Sequence, residues 1–195
     1  MSAYVRDLAA RSSSGHPVSE TKRLVRSRSR SEICTNLKEQ VREIGPKDVP
    51  VLIQGETGVG KELVARALVK ASPRSSGPFI EVNCAALPEE NLFLSELFGH
   101  EKGSFTGALQ RKRGQFELAD NGTLFLDEVG ELGSLAQTRL LRAVESLEFT
   151  RLGAEKSMRV NCRLIFATNR DIVEEVRQGR FREDLYYRMN IYPIH

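Results

Sequence analysis

Val49-Pro50-Val51-Leu52-Ile53-Gln54-Gly55-Glu56-Thr57-Gly58-Val59-Gly60-Lys61-Glu62 decides the fold. Val49 to Ile53 is a short apolar run suited to a buried strand. Gly55, Gly60 and Lys61 match the spacing G-x-x-x-x-G-K, and Lys61 to Ala71 has helical character. Glycines let a backbone curl until several N–H groups point inward at an anion. The following helix adds its N-terminal partial positive charge, and the Lys61 ammonium reaches the outer phosphates as a point charge. The residues from Gly55 to Glu62 (Gly55, Glu56, Thr57, Gly58, Val59, Gly60, Lys61 and Glu62) are therefore the expected nucleotide-phosphate cradle. One position departs from the common pattern. Glu62 stands where Ser or Thr usually holds Mg²⁺, so metal handling is expected to fall to Thr57 or to the acidic pair below.

Outward from this stretch the pattern alternates. Phe79 to Val82, Thr123 to Leu126 and Cys162 to Ala167 read as buried strands. Residues 90–98, Leu135 to Leu147, Ile172 to Val176 and Phe181 to Tyr187 read as helices, with 99–110 a loop. A helix is expected from Ser31, with Ile33, Leu37, Val41 and Ile44 on one face and Gly45-Pro46 ending it. Strands separated by helices imply an α/β fold with a parallel sheet covered on both faces.

Composition sets the limits. The 195 residues, 40% hydrophobic, suit one domain plus a tail. There is no apolar run of about 18 residues and no apolar stretch of signal-peptide type, so no membrane association is expected. Cys34, Cys84 and Cys162 are sparse and show no metal-ligand spacing, which fits a reducing, cytoplasmic setting. Net charge is only +3, but Lys22, Arg23, Arg26, Arg28 and Arg30 fall in one acid-free stretch. Residues 1–30 are expected to form a flexible basic leader, and residues 31–195 the globular domain.

The strand Thr123-Leu124-Phe125-Leu126 ends in Asp127-Glu128. In phosphate-loop enzymes the strand-end Asp holds Mg²⁺, and a carboxylate beside it can take a proton from the attacking water. Asp127 is assigned to the metal and Glu128 to the base. Thr168-Asn169 ends the strand Leu164 to Ala167, at the edge where ligands sit in open α/β sheets. Asn169 can position the water or sense the terminal phosphate. Asn83, ending the strand Phe79 to Val82, can hydrogen-bond Glu128 and hold it off the water. Arg182 and Arg188 can stabilise charge on a transferring phosphoryl group; spacing alone equally allows surface ion pairs with Glu183 or Asp184.

A second segment has no role in phosphate chemistry. Gly103-Ser104-Phe105-Thr106-Gly107-Ala108 is a glycine-framed aromatic tip. Phe105 is either an anchor for a partner or a side chain folded back on the domain.

Five blocks in order now give a resemblance over about residues 48–195. They are Glu96-Leu97-Phe98-Gly99-His100-Glu101-Lys102-Gly103-Ser104-Phe105-Thr106-Gly107-Ala108, Gln115-Phe116-Glu117-Leu118-Ala119, Phe125-Leu126-Asp127-Glu128-Val129, Ala167-Thr168-Asn169-Arg170-Asp171 and Phe181-Arg182-Glu183-Asp184-Leu185-Tyr186-Tyr187-Arg188. Together with Glu62 they resemble the bacterial enhancer-binding proteins, AAA+ ATPases that activate sigma-54 RNA polymerase. The resemblance implies a P-loop NTPase αβα sandwich and a hexameric ring with ATP and Mg²⁺ between subunits. Lys61 would bind phosphate, Asp127 the metal, and Glu128 would activate water. Asn83 would act as a switch on Glu128, and Thr168 and Asn169 would sense the terminal phosphate. Arg182 and Arg188 would serve the neighbouring subunit's site, and Phe105 and Thr106 would touch the sigma-54 factor.

Departures accompany it. Ser104 stands where the family usually has Ala, Leu94 where an acid is common, and the stretch between Pro88 and Glu96 is one residue longer than usual. The family's usual entry segment before Val49 is not evident. The chain ends at Tyr192-Pro193-Ile194-His195, ahead of the family's helical lid and DNA-binding region. The expectation is a lidless core, making DNA contact only through a domain outside these residues. Two further readings stand beside this one: a non-hydrolysing nucleotide- or sigma-binding module, and an AAA+ machine acting on another protein.

Overall fold

A computed structural model describes residues 30–86 and 89–195, with side chains from Thr35 onward. The chain divides into two compact units, 1–39 and 40–195, and the strands among the described residues all fall in the second. The expected leader lies outside the described residues except for Arg30, which opens helix α1 (Arg30–Ile44).

Three central strands form because their sequences are apolar on both faces: β1 (Val51–Gln54), β5 (Thr123–Asp127) and β8 (Arg163–Thr168). Parallel strands covered by helices read as continuous apolar runs rather than alternating ones. Leu52, Phe125, Leu126 and Phe166 are all fully buried, each contributing about 1.5–3 kcal/mol of transfer free energy. Two edge strands complete the sheet: β2 (Phe79–Asn83) and β9 (Tyr192–Ile194). The order is β2-β5-β8-β1-β9, and every pairing is parallel. β9 was not anticipated. Pro193 cannot donate to a ladder, which restricts such a strand to an edge, and an edge is where it lies.

The remaining elements are α2 (Lys61–Lys70), α3 (Glu90–Phe98), α4 (Gln115–Leu118), a 3₁₀ turn (Val129–Glu131), α5 (Ser134–Ser146), α6 (Ile172–Arg177) and α7 (Glu183–Met189). Two small antiparallel pairs were also unforeseen. β3 (Gly99–His100) pairs with β4 (Lys112–Arg113), and β6 (Glu148–Phe149) with β7 (Met158–Arg159). The expected loop 99–110 thus stands on a short two-stranded base.

Topology positions the site. From β1 the chain crosses to β2 at one edge, whereas from β8 it crosses to β9 at the other. Connections therefore diverge between the carboxyl ends of β1 and β8, and a crevice opens there.

Candidate functional site: a phosphate loop facing an acidic strand end

The loop after β1 enters α2 through Gly60, whose φ of 98° lies in the left-handed region; Gly58 is similar at 84°. Gly60 caps the helix with no side-chain hydrogen bond. The first N–H groups of α2 are therefore left facing the crevice, as an anion requires. Lys61 is 7% exposed. Its ammonium donates to the carbonyl oxygens of Gly55 (3.1 Å) and Glu56 (3.4 Å) and meets Glu128 Oε1 at 3.3 Å.

Glu128 reaches Lys61 because its backbone is left-handed, with φ 54° and ψ 44°. Such a conformation costs a non-glycine residue on the order of 1–3 kcal/mol and gathers at functional sites. Glu128 N–H donates to Asp127 Oδ1 at 2.9 Å. Its other carboxylate oxygen accepts from the Asn169 backbone N–H at 3.1 Å, and Asn169 Nδ2 donates to Thr57 Oγ1 at 3.0 Å. Lys61, Thr57, Asp127, Glu128 and Asn169 thus form one connected group across the ends of β1, β5 and β8.

Burial holds the Asp127 carboxyl above the usual carboxylate range, and the nearby Glu128 and Glu62 charges push the same way. The Glu128 N–H and Lys61 offset this only in part. Such a site favours a cation. No group of three or more His, Cys, Asp or Glu side chains suited to a metal occurs among the described residues. The donor set fits Mg²⁺ nonetheless, because that ion commonly takes one or two carboxylates and completes its shell with phosphate oxygens and water.

Glu62, the departure from the usual loop, is turned along α2. Arg66 Nε donates to it at 2.7 Å, also reaches Glu81 at 3.1 Å, and lies over the Phe79 ring at 4.8 Å. The carboxylate next to the phosphate site is therefore partly neutralised. The i,i+4 half of this arrangement was readable from sequence; the helix-to-strand half was not.

The other expected residues lie elsewhere. Asn83 Oδ1 accepts from the Ala85 N–H at 2.8 Å, and Glu128 makes its contacts with Lys61 and Asn169 instead. Thr168 is fully buried, and its hydroxyl accepts from the Arg170 N–H at 3.1 Å. Gly130 allows this approach, since a Cβ there would sit 2.8 Å from Thr168 Oγ1. Arg182, the N-cap residue of α7, is held by both oxygens of Asp184 at 3.0 and 2.8 Å. Arg188 meets Glu145 of α5 at 3.4 Å. Both arginines are exposed, and neither contacts the phosphate loop of its own chain.

The aromatic tip is folded back. The Phe105 ring meets His100 edge-on at 5.0 Å, and the Ser95 hydroxyl pairs with His100 Nδ1 at 2.7 Å. Gly103 and Gly107 both have positive φ, and Gly103 N–H donates to Ala108 O at 2.8 Å. Thr106 is exposed and Ala108 buried. The Ser104 hydroxyl is buried with no partner and lies against Gly153. At the base, Arg151 joins Glu101 (2.8 Å) to Glu117 (2.5 Å). A cleft of about 480 Å³ between α5 and the β6–β7 hairpin shares no residue with the phosphate loop.

Cys84 and Cys162 are buried free thiols. Burial raises both, Cys162 up to about 12, so neither is a nucleophile at neutral pH. No helix among the described residues is long and apolar enough to cross a membrane.

A parallel α/β sheet with a phosphate loop at its switch point and an acidic strand end beside it defines a P-loop NTPase. The Sigma-54 interaction domain family matches residues 28–195, and the chain belongs to that family. The Nif-specific regulatory protein of Klebsiella pneumoniae is 52% identical over 165 residues, 85% of this chain and 31% of that protein. The anaerobic nitric oxide reductase transcription regulator NorR of Escherichia coli (strain SE11) is 53% identical over 160 residues, 82% of this chain and 32% of that protein. The chain therefore spans about a third of the length of the curated relatives it matches. Among solved structures, NtrX from Brucella abortus in complex with ATP superposes with a TM-score of 0.77 at 33% identity, over 90% of this chain and 41% of that one. The P-loop NTPase domain of the Sigma-54 transport activator from E. coli shares the fold, with a TM-score of 0.58 at 21% identity, over 86% and 96% of the two chains.

Proposed function

We propose that this chain is the ATP-binding and hydrolysing AAA+ core of a cytoplasmic transcription activator, coupling ATP turnover to remodelling of sigma-54 RNA polymerase. The observation that carries the reading is the meeting of Lys61, Glu128 and Asn169 at one strand-end crevice. Family membership and the ATP complex of the similar NtrX support it. Residues 31–195 are taken as the functional core.

The chemistry is hydrolysis of the terminal phosphoanhydride. A water oxygen bonds to the γ-phosphorus, the bond to the β–γ bridging oxygen breaks, and ADP leaves. Gly55 to Glu62 cradle the phosphates, and Lys61 exchanges its Glu128 partner for phosphate oxygens. Glu128, so released, accepts the water's proton, a role worth about 10²–10⁴-fold. Asn169 orients that water or senses the terminal phosphate, with Thr168 supporting the strand end. Asn83 restrains Glu128 in a state where it has left the Ala85 N–H. Asp127, helped by the Thr57 hydroxyl, would hold Mg²⁺, which when bound neutralises developing phosphate charge. Arg182 and Arg188, remote from their own loop, act on the ATP of an adjacent copy in a homo-oligomer, a hexameric ring.

Residues Gly103, Ser104, Phe105, Thr106, Gly107 and Ala108 are assigned to the sigma-54 contact. Phe105 leaves its His100 perch and presents its ring to the partner. Phe105→Ala tests this: sigma-54 binding in the presence of an ATP transition-state analogue falls at least about tenfold while hydrolysis stays within about twofold. Undiminished binding by Phe105→Ala would refute the loop assignment.

A further inference from the structure

Gln137 lies in α5 with 2% of its surface exposed. Its Nε2 donates to the carbonyls of Leu132 (2.8 Å) and Arg180 (2.9 Å), and its Oε1 accepts from the Arg182 N–H (2.8 Å). Both amide protons and the carbonyl oxygen are thus used, leaving the side chain one low-energy arrangement. The partners give this bond set its meaning. Leu132 ends the 3₁₀ turn that begins directly after Glu128. Arg180 and Arg182 flank the buried Phe181 and lead into α7. Gln137 therefore ties the acidic strand end of the chain's own site to the turn that aims Arg182.

A second tie runs in parallel. Arg170, next to Asn169, pairs with Glu131 and with Glu175 (3.6 Å). Glu175 in turn grips Arg180 through both oxygens at 2.7 and 2.5 Å.

We propose that Gln137 is a positioning residue that transmits the state of the chain's own phosphate site to Arg182, which acts on a neighbouring copy's nucleotide. The inference rests on the reading of Arg182 as acting between subunits. When Glu128 exchanges Lys61 for water, its strained backbone is free to shift, and the turn ending at Leu132 shifts with it. Gln137 must follow or leave a buried polar group unpaired, which costs about 1–3 kcal/mol. Following it re-aims the Arg182 backbone.

Mixing experiments on the full chain separate this from a local structural role. Gln137→Met keeps the length but loses all three bonds. Alone, it is expected to lose at least about tenfold in ATP hydrolysis, as a misplaced arginine would, with ATP affinity within about twofold of wild type. Glu128→Gln holds ATP without turning it over and keeps an intact Arg182, so its own site can still set that arginine. An equimolar mixture of the two is expected to recover activity several-fold above the sum of the parts, as a mixture of Arg182→Ala with Glu128→Gln should. Recovery in the Arg182→Ala control without recovery for Gln137→Met overturns the proposal and leaves the arginine assignment standing. No recovery in the control overturns the arginine assignment and the proposal with it. If Gln137→Met loses the native thermal transition, Gln137→Glu, which keeps the acceptor for the Arg182 N–H, enters the same mixtures and the same outcomes decide.

Discussion

Replacing Glu128 by Gln should strengthen nucleotide binding while abolishing turnover, and the structure sets the size of both effects. Lys61 and Glu128 side chains are 6% and 15% exposed and meet at 3.3 Å. Their gross attraction is about 5 kcal/mol at an effective dielectric of about 20. Most of it is cancelled by the cost of removing both charges from water, and a charge-assisted hydrogen bond nets about 1.5–3 kcal/mol. That net term is what phosphate oxygens must displace to reach Lys61. A carboxylate left beside the phosphates also repels them, so both contributions have the same sign. Gln keeps the shape and an acceptor for the Asn169 N–H but loses the charge. The expected result is ATP affinity about ten- to hundredfold tighter by calorimetry. Steady-state hydrolysis should fall by about 10²–10⁴, the usual worth of a general base. An unchanged or weaker affinity would show that Glu128 does not compete for Lys61. Hydrolysis within a few fold of wild type would remove Glu128 as the base.

Two further substitutions probe the same scaffold. Asp127→Asn removes a carboxylate whose pKa is raised, chiefly by burial. Because the native state holds that proton more tightly than the unfolded chain, ionised Asp127 destabilises the native state above its raised pKa. The variant should be the more stable form at neutral pH, and the gain should vanish as pH falls through that pKa; a Tm difference independent of pH contradicts this. Arg163, 2% exposed, donates to the carbonyls of Gly45 (2.8 Å) and Ile44 (3.1 Å). Arg163→Ala leaves the buried Gly45 carbonyl unpaired and a void, while the Ile44 carbonyl keeps the Lys47 N–H at 3.0 Å, so urea unfolding should register a loss of about 2–3 kcal/mol, and a loss below about 1 kcal/mol would show that the α1 end is held by other groups.

The order of elements was legible because the central strands are apolar on both faces and the phosphate-loop spacing marks a strand-to-helix turn. β9 was hidden by its three-residue length and by Pro193, and the β6–β7 hairpin by strands of two residues, too short for any periodicity. At the site, Lys61, Asp127, Glu128 and Asn169 could be named because each stands at a strand end or in a motif. Their pairing could not, since the Lys61–Glu128 contact joins residues 67 apart and depends on the left-handed backbone of Glu128. Gln137 left no sequence signal, because an amide on a helix reads as solvated surface until the tertiary fold buries it. The expected Asn83–Glu128 contact gave way to a turn in which Asn83 caps its own backbone, a local bond that needs no change elsewhere.

The most direct test of the account is ATP hydrolysis by the purified chain over a wide range of protein concentration, with Lys61→Ala as control. If subunits complete each other's sites, specific activity climbs with concentration and is lost in the control. Specific activity independent of concentration, or activity surviving Lys61→Ala, would contradict a shared site built on this phosphate loop.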